Sequence, residues 1–229
     1  SKGRASLRPR VGIPSQARGR FAAAAPSLVA TWALGGLYLS LGPSVAAGSL
    51  HVASHLVGGL VIFALAGAGA VTAILLRSWA SRRLMLVGAV GLVLGVGVTL
   101  LALSMRSTPI FFAGTIVAGS GFGSAFLGAF RTVSALAAPD QRAGLIAAVY
   151  IVSYLALSLP AVAAGIAVTL VGLPTTSVVY GGGIAALAAA AGIATLAQGR
   201  GDGAGAAGAH DAPCASTLAP AAKEADRAA

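Results

Sequence analysis

The side chains in this sequence that could do chemistry are few, and most lack a partner. Ser120 lies in Ala118-Gly119-Ser120-Gly121, one residue away from the Gly-x-Ser-Gly in which intramembrane serine proteases hold their nucleophile. Such a serine needs a histidine base, and the only histidine downstream is His210, in a polar tail. Intramembrane aspartyl and zinc proteolysis fail too, because no apolar segment carries an Asp or a His-Glu-x-x-His. His51 and His55 are four apart and can share a helix face, but two imidazoles without a third ligand make a poor metal site. Cys214 is the single cysteine, so it has no internal disulfide partner and builds no cysteine-rich metal site. No enzymatic activity, metal or cofactor is expected. What remains is a set of aromatic and hydroxyl side chains inside apolar segments: Trp32, Tyr38 and Ser40, then Ser120, Phe122, Ser124 and Phe126, then Tyr150, Ser153 and Tyr154. Taken singly, each has a plainer role. Trp and Tyr anchor spans at the membrane interface, and Ser bonds back to its own helix.

The elements that carry these residues follow from the positions of the charges. The chain of 229 residues is 57% hydrophobic and 9% charged, with a mean hydropathy of +0.91. A soluble domain carries roughly 25% charged residues. Residues 21–76, 84–105, 107–130 and 143–199 contain no Asp, Glu, Lys or Arg. An uncharged apolar stretch of about 18 residues or more reads as membrane-spanning, so a disordered chain, a secreted disulfide scaffold and a cytosolic enzyme are all excluded. The two long runs each hold two spans, breaking at 48–55 and at 171–174. The reading is an all-α membrane protein with six transmembrane helices, at about 21–47, 56–76, 84–104, 109–130, 143–170 and 175–198. Continuous apolar runs lack the alternation of a membrane barrel. Pro109 suits a first helical turn. Asp140 is placed to cap the fifth helix. Pro26, Pro43 and Pro160 fall inside spans and should kink them.

The net charge of +10 could suggest nucleic acid, but its distribution does not. Eleven basic residues lie at 1–20, 77–83 and 131–142, while Arg106 alone occupies the opposite set of loops. Lys/Arg-rich loops stay cytoplasmic, so both termini are expected inside and no nucleic-acid partner is expected. Residues 1–20 read as a basic cytoplasmic linker rather than a signal peptide, since the apolar segment is too long and five spans follow. Residues 199–229 read as a disordered cytoplasmic tail.

Six spans with both ends inside and two basic cytoplasmic loops resemble half of a major facilitator superfamily transporter. The C-terminal half of the drug-efflux-like bacterial members is the nearer likeness. Arg77-Ser-Trp-Ala-Ser-Arg-Arg83 stands at the place of the family's Gly-x-x-x-Asp-Arg-x-Gly-Arg-Arg loop, where Arg82 and Arg83 match and Ser78, Trp79 and Ser81 depart. Ala138-Pro139-Asp140-Gln-Arg142-Ala-Gly-Leu145, running on to Tyr150-Ile-Val-Ser-Tyr154 and Leu159-Pro160-Ala-Val-Ala-Ala-Gly165, is similar to the loop and eleventh helix of those members.

The resemblance implies a half bundle of two three-helix repeats in the bacterial inner (plasma) membrane, moving a small organic solute by alternating access against a second six-helix half. That half would lie in the same parent chain or in a separate subunit. A chain that lacks an initiator Met and opens on a basic linker suits a piece of a longer parent. The family layout lines its cavity with the first and fourth helices of each half. It therefore nominates Trp32, Tyr38, Ser120, Phe122, Ser124 and Phe126, joined by Tyr150 and Tyr154 from the fifth helix. Such a pocket suits a lipophilic or cationic solute by packing and cation–π attraction. Arg82, Arg83, Asp140 and Arg142 form the matching cytoplasmic loops. No carboxylate lies inside a span, so proton coupling would fall to the other half. Gly91-x-x-x-Gly95 and Gly119-x-x-x-Gly123 put small residues on one face for close helix packing. The alternative reading is a non-transporting membrane scaffold, an assembly subunit or a truncated transporter remnant.

Overall fold

Uncharged stretches rich in Ala, Leu, Val and Gly cannot leave backbone groups unpaired in an apolar surrounding, and the helix satisfies them all internally. The computed structural model describes residues 18–42, 44–45, 55–135 and 141–210, and every regular element among them is helical. In chain order these are α1 Arg18–Ser40, α2 His55–Leu75, α3 Ser81–Ser104, α4 Thr108–Ser134, α5 Arg142–Val171 and α6 Leu173–His210. Each contains a segment long and apolar enough to cross a membrane. Helical bonding runs on beyond α1, with the Val45 N–H donating to the Leu41 carbonyl at 2.8 Å. The packed unit ends at Leu196, and the end of α6 from Ala197 to His210 lies outside it.

The helix limits reflect local chemistry. Pro109 sits in the first turn of α4, where its missing N–H is not needed. Pro26 and Pro160 lie inside α1 and α5. The expected four-residue break at 171–174 contracts to Gly172 alone, whose φ of 82° is open to glycine at little cost. Pro174 then falls in the first turn of α6 rather than in a loop. Helix α6 also extends past the expected end at 198, to His210. Asp140 and Pro43, expected as a cap and a kink, lie outside the described residues. The N-cap of α5 is Gln141, which makes no side-chain capping bond.

Small residues decide which helices touch. Along α3, Gly88, Gly91 and Gly95 face Ala125, Gly121 and Ala118 of α4, so closely that added Cβ atoms would meet backbone. A second face of α4 presents Gly119 and Gly123 to Leu65 and Gly69 of α2. Helix α4 thus packs on both α3 and α2. Helix α1 packs on α5, and its Ala33 carbonyl accepts a hydrogen bond from Tyr180 of α6 at 3.0 Å. Helices α1 and α4 meet at the centre. Helix α6 also leans on α3, where Gly181 lies against Val96 and Leu100 and Gly192 lies against Ala89.

Hydroxyls inside the helices are mostly spent on their own backbone. Thr31, Thr99, Thr115, Ser124, Ser177 and Thr195 each donate to the carbonyl four residues back at 2.8–2.9 Å. Polar side chains therefore enter the apolar interior already satisfied.

Candidate solute-binding site

Residues four apart on a helix stand one above the other, and α4 uses this to stack rings. Phe122, Phe126 and Phe130 form a column, with centroids 6.3 Å and 5.7 Å apart. Tyr150 and Tyr154 do the same on α5, at 6.4 Å. Trp32 of α1 lies between the two columns. Its indole meets Phe122 and Phe126 edge to face at 6.0 Å and 5.8 Å, and meets Tyr154 at 6.3 Å. Edge-to-face rings at these separations attract by about 0.5–1.5 kcal/mol beyond the area they bury. Three helices thus bring together the sequence candidates Trp32, Phe122, Phe126, Tyr150 and Tyr154. The residues Tyr150 and Tyr154 remain exposed, at 51% and 61%, so the cluster has an open side.

One polar atom in the cluster has no partner. Among the described residues, the Trp32 indole Nε1 is the buried side-chain nitrogen or oxygen without a hydrogen bond. A buried donor left unpaired costs about 1–3 kcal/mol. A bound molecule offering an acceptor here would recover that cost.

Tyr38, the remaining aromatic candidate, belongs elsewhere. It is only 2% exposed, and its hydroxyl meets Thr99 of α3 at 2.9 Å and Thr115 of α4 at 3.3 Å. The result ties α1, α3 and α4 through three hydroxyls. Tyr38 packs on Phe111 rather than on Trp32, and lines an apolar cavity of about 30 Å³ with Leu41, Val96 and Leu103. That space holds about two water molecules, too little for an organic solute. The serines also divide. Ser124 is fully buried and bonds to the Ser120 carbonyl, whereas Ser120 itself is half-buried. Ser40 is exposed and donates to the Gly36 carbonyl. Ser153 is buried on α5.

Of the loop candidates, Arg82 is anchored by backbone. Arg82 donates to the carbonyls of Thr195 and Leu196 at 3.3 Å and 3.4 Å. Arg83 is exposed, and Arg142 is the exposed first residue of α5. Arg131 donates to the Arg77 carbonyl at 2.7 Å, joining the end of α4 to the α2–α3 turn. Asp140 and His51 lie outside the described residues, and His55 opens α2.

Sequence reasoning missed Phe130, Tyr180 and the Gly35-Gly36 pair. Phe130 extends the ring column. An added Cβ on Gly36 would lie 2.9 Å from the Tyr180 hydroxyl and 2.5 Å from the Leu157 carbonyl, so Gly36 lets α5 and α6 close on α1. The i, i+4 repeat at 122, 126 and 130 was the available signal for Phe130. Nothing local marks Tyr180. Comparison with protein-family models, curated proteins and solved structures finds no match to this chain.

Proposed function

We propose that this chain is a membrane-embedded, multi-pass half of a transporter of the major facilitator kind. In this reading it works in the bacterial plasma membrane with both ends cytoplasmic. It moves a small organic solute by rocking against a second six-helix half. The observation that carries the reading is a reciprocity in the helix pairing. Helix α4 packs on α3 and α2, while α1 packs on α5 and meets α6 where Tyr180 donates to the Ala33 carbonyl beside Gly36. Exchanging α1 with α4, α2 with α5 and α3 with α6 turns one set of pairs into the other. The α1–α4 and α3–α6 pairs map onto themselves. That is the pattern expected of two three-helix repeats, which in such transporters meet around a midplane site.

The solute site is the Trp32 cluster, on the central helices α1 and α4 with α5 beside them. Its rings supply dispersion and cation–π attraction, and the unpaired indole N–H supplies one donor for orientation. The least buried spans are those of α2 and α5, on either side of the central pair. They offer the apolar faces on which a second half would close.

The test is cellular accumulation of a panel of lipophilic amines and dyes in a strain lacking the gene. The reading predicts altered accumulation of at least one compound, restored by the wild-type gene and not by its Trp32→Ala version. Unchanged accumulation across the panel would favour a scaffold or a remnant.

A further inference from the structure

We infer that the cleft between α3 and α6 is a binding site for one anionic phospholipid of the cytoplasmic leaflet. The headgroup phosphate rests on Arg82 and Arg83, and an acyl chain lies along the cleft. The inference rests on the membrane-embedded reading above, but not on transport.

Three observations converge there. The first is an open apolar groove of about 440 Å³ between the two helices. Leu86, Val90, Val93 and Leu94 of α3 line one side, and Ile193 and Leu196 of α6 line the other. Val90, Leu94, Ile193 and Leu196 are exposed. Helix α6 lies against α3 through Gly192 and Ala89, so the groove has a closed floor. From Leu86 to Leu94 it runs about 12 Å along the helix axis, within the roughly 15 Å hydrocarbon depth of one leaflet. An apolar cleft at this depth holds no water and takes hydrocarbon.

The second observation is charge at one end. Arg82 and Arg83 stand a turn from Leu86, on the face that the arginine distribution makes cytoplasmic. Arg82 is held at the mouth of the groove by the Thr195 and Leu196 carbonyls, and Leu196 also lines the groove. Neutral carbonyls orient a guanidinium without cancelling its charge. Among the described residues, the partners of Arg82 are these two backbone carbonyls. The third observation is the start of α3, whose N-cap Ala80 makes no side-chain capping bond. The first-turn N–H groups of Arg82 and Arg83 precede the first helical bond, Leu84 N–H to the Ala80 carbonyl, and such a terminus favours an anion. A phosphodiester linked to an acyl chain satisfies all three features at once.

The test is native mass spectrometry of the purified full chain, released from nanodiscs made of phosphatidylglycerol and phosphatidylcholine in equal parts. The expected spectrum retains one phosphatidylglycerol per chain in clear excess over phosphatidylcholine. Arg82→Ala with Arg83→Ala should lower that preference about thirtyfold, from about fivefold per arginine near an anionic surface. Arg82→Lys with Arg83→Lys should keep most of it. Ala189→Trp fills the groove without touching either arginine, and should lower retention about tenfold. Inorganic phosphate and glycerol phosphate, which lack the chain, should not compete at millimolar concentration. Equal retention of both lipids, indifference to the double alanine variant, or competition by free phosphate would each overturn the proposal. So would a dimer that excludes lipid, since a second copy would then occupy the groove. Helicity and monodisperse elution confirm that each variant folds, and the lysine pair separates charge from structure. Carbonate extraction keeps the failures apart: a chain released from membranes refutes the embedded reading itself. A chain that stays in the membrane with no lipid preference refutes this inference alone.

Discussion

Replacing Gly121 by alanine adds one methyl group where two helix backbones touch. An added Cβ there would lie 2.5 Å from the Leu92 nitrogen and 2.6 Å from the Gly91 carbonyl carbon, against an ordinary contact of 3.4–4 Å. Both obstacles are backbone, so no side chain can rotate away. Helix α3 must retreat by roughly 1 Å, a gap that forfeits a quarter to a half of the dispersion attraction across the opened seam. Overpacking of this kind costs about 1–3 kcal/mol. Against it stands the better helix propensity of alanine, up to about 1 kcal/mol. The expected net loss for Gly121→Ala is about 1–2 kcal/mol. The control is Gly97→Ala on α3, where an added Cβ meets nothing within 4 Å. There only the propensity gain applies, so stability should rise by up to about 1 kcal/mol. Reversible unfolding in mixed micelles with rising SDS, followed by circular dichroism, measures both. Two chemically identical substitutions should differ by about 2 kcal/mol in opposite directions. Equal effects at the two sites, or a more stable Gly121 variant, would refute close backbone packing as the basis of the α3–α4 pair.

Other substitutions separate site from scaffold. Tyr38→Phe removes a hydroxyl bonded to Thr99 and Thr115, which keep their own carbonyl partners; the same unfolding assay should show a loss of about 1 kcal/mol with solute accumulation unchanged. Trp32→Phe keeps a ring in the cluster but deletes the unpaired N–H. Stability should hold within about 1 kcal/mol, while the apparent affinity for a transported amine falls about tenfold in a concentration series of cellular accumulation. Arg131→Ala removes the bond to the Arg77 carbonyl at an exposed site, and should cost under about 1 kcal/mol in the unfolding assay.

The six-helix organisation is legible in the sequence because charge marks its limits. Arg77, Arg82 and Arg83 bracket the turn between α2 and α3, and Arg131 and Arg142 bracket the segment between α4 and α5. Helix ends are less legible where propensity and packing disagree. Pro174 reads as part of a loop, yet a proline needs no N–H partner in a first turn, so a single Gly172 makes the break. The site was half legible. Trp32, Phe122 and Phe126 share the faces that a family resemblance nominates, and the structure brings them together. Tyr38 is six residues from Trp32 and points to a different neighbour, since a helix turns about 100° per residue. Its hydroxyl partners come from α3 and α4, and no spacing within α1 reveals them. The α3–α6 groove is equally hidden, because it arises from two helices some hundred residues apart.

The account stands on α1–α6 crossing a bilayer with the arginine-bearing turns inside. Single cysteines test this most directly. On a Cys214→Ser background, Trp79→Cys and Ala135→Cys place thiols at exposed positions on the arginine-rich side, and Arg106→Cys places one at the exposed α3–α4 turn. In intact cells a membrane-impermeant maleimide should label position 106 alone. Positions 79 and 135 should react only in inverted vesicles or after permeabilisation. Labelling of 79 or 135 from outside, or equal labelling of all three, would contradict the six-span topology and every inference built on it.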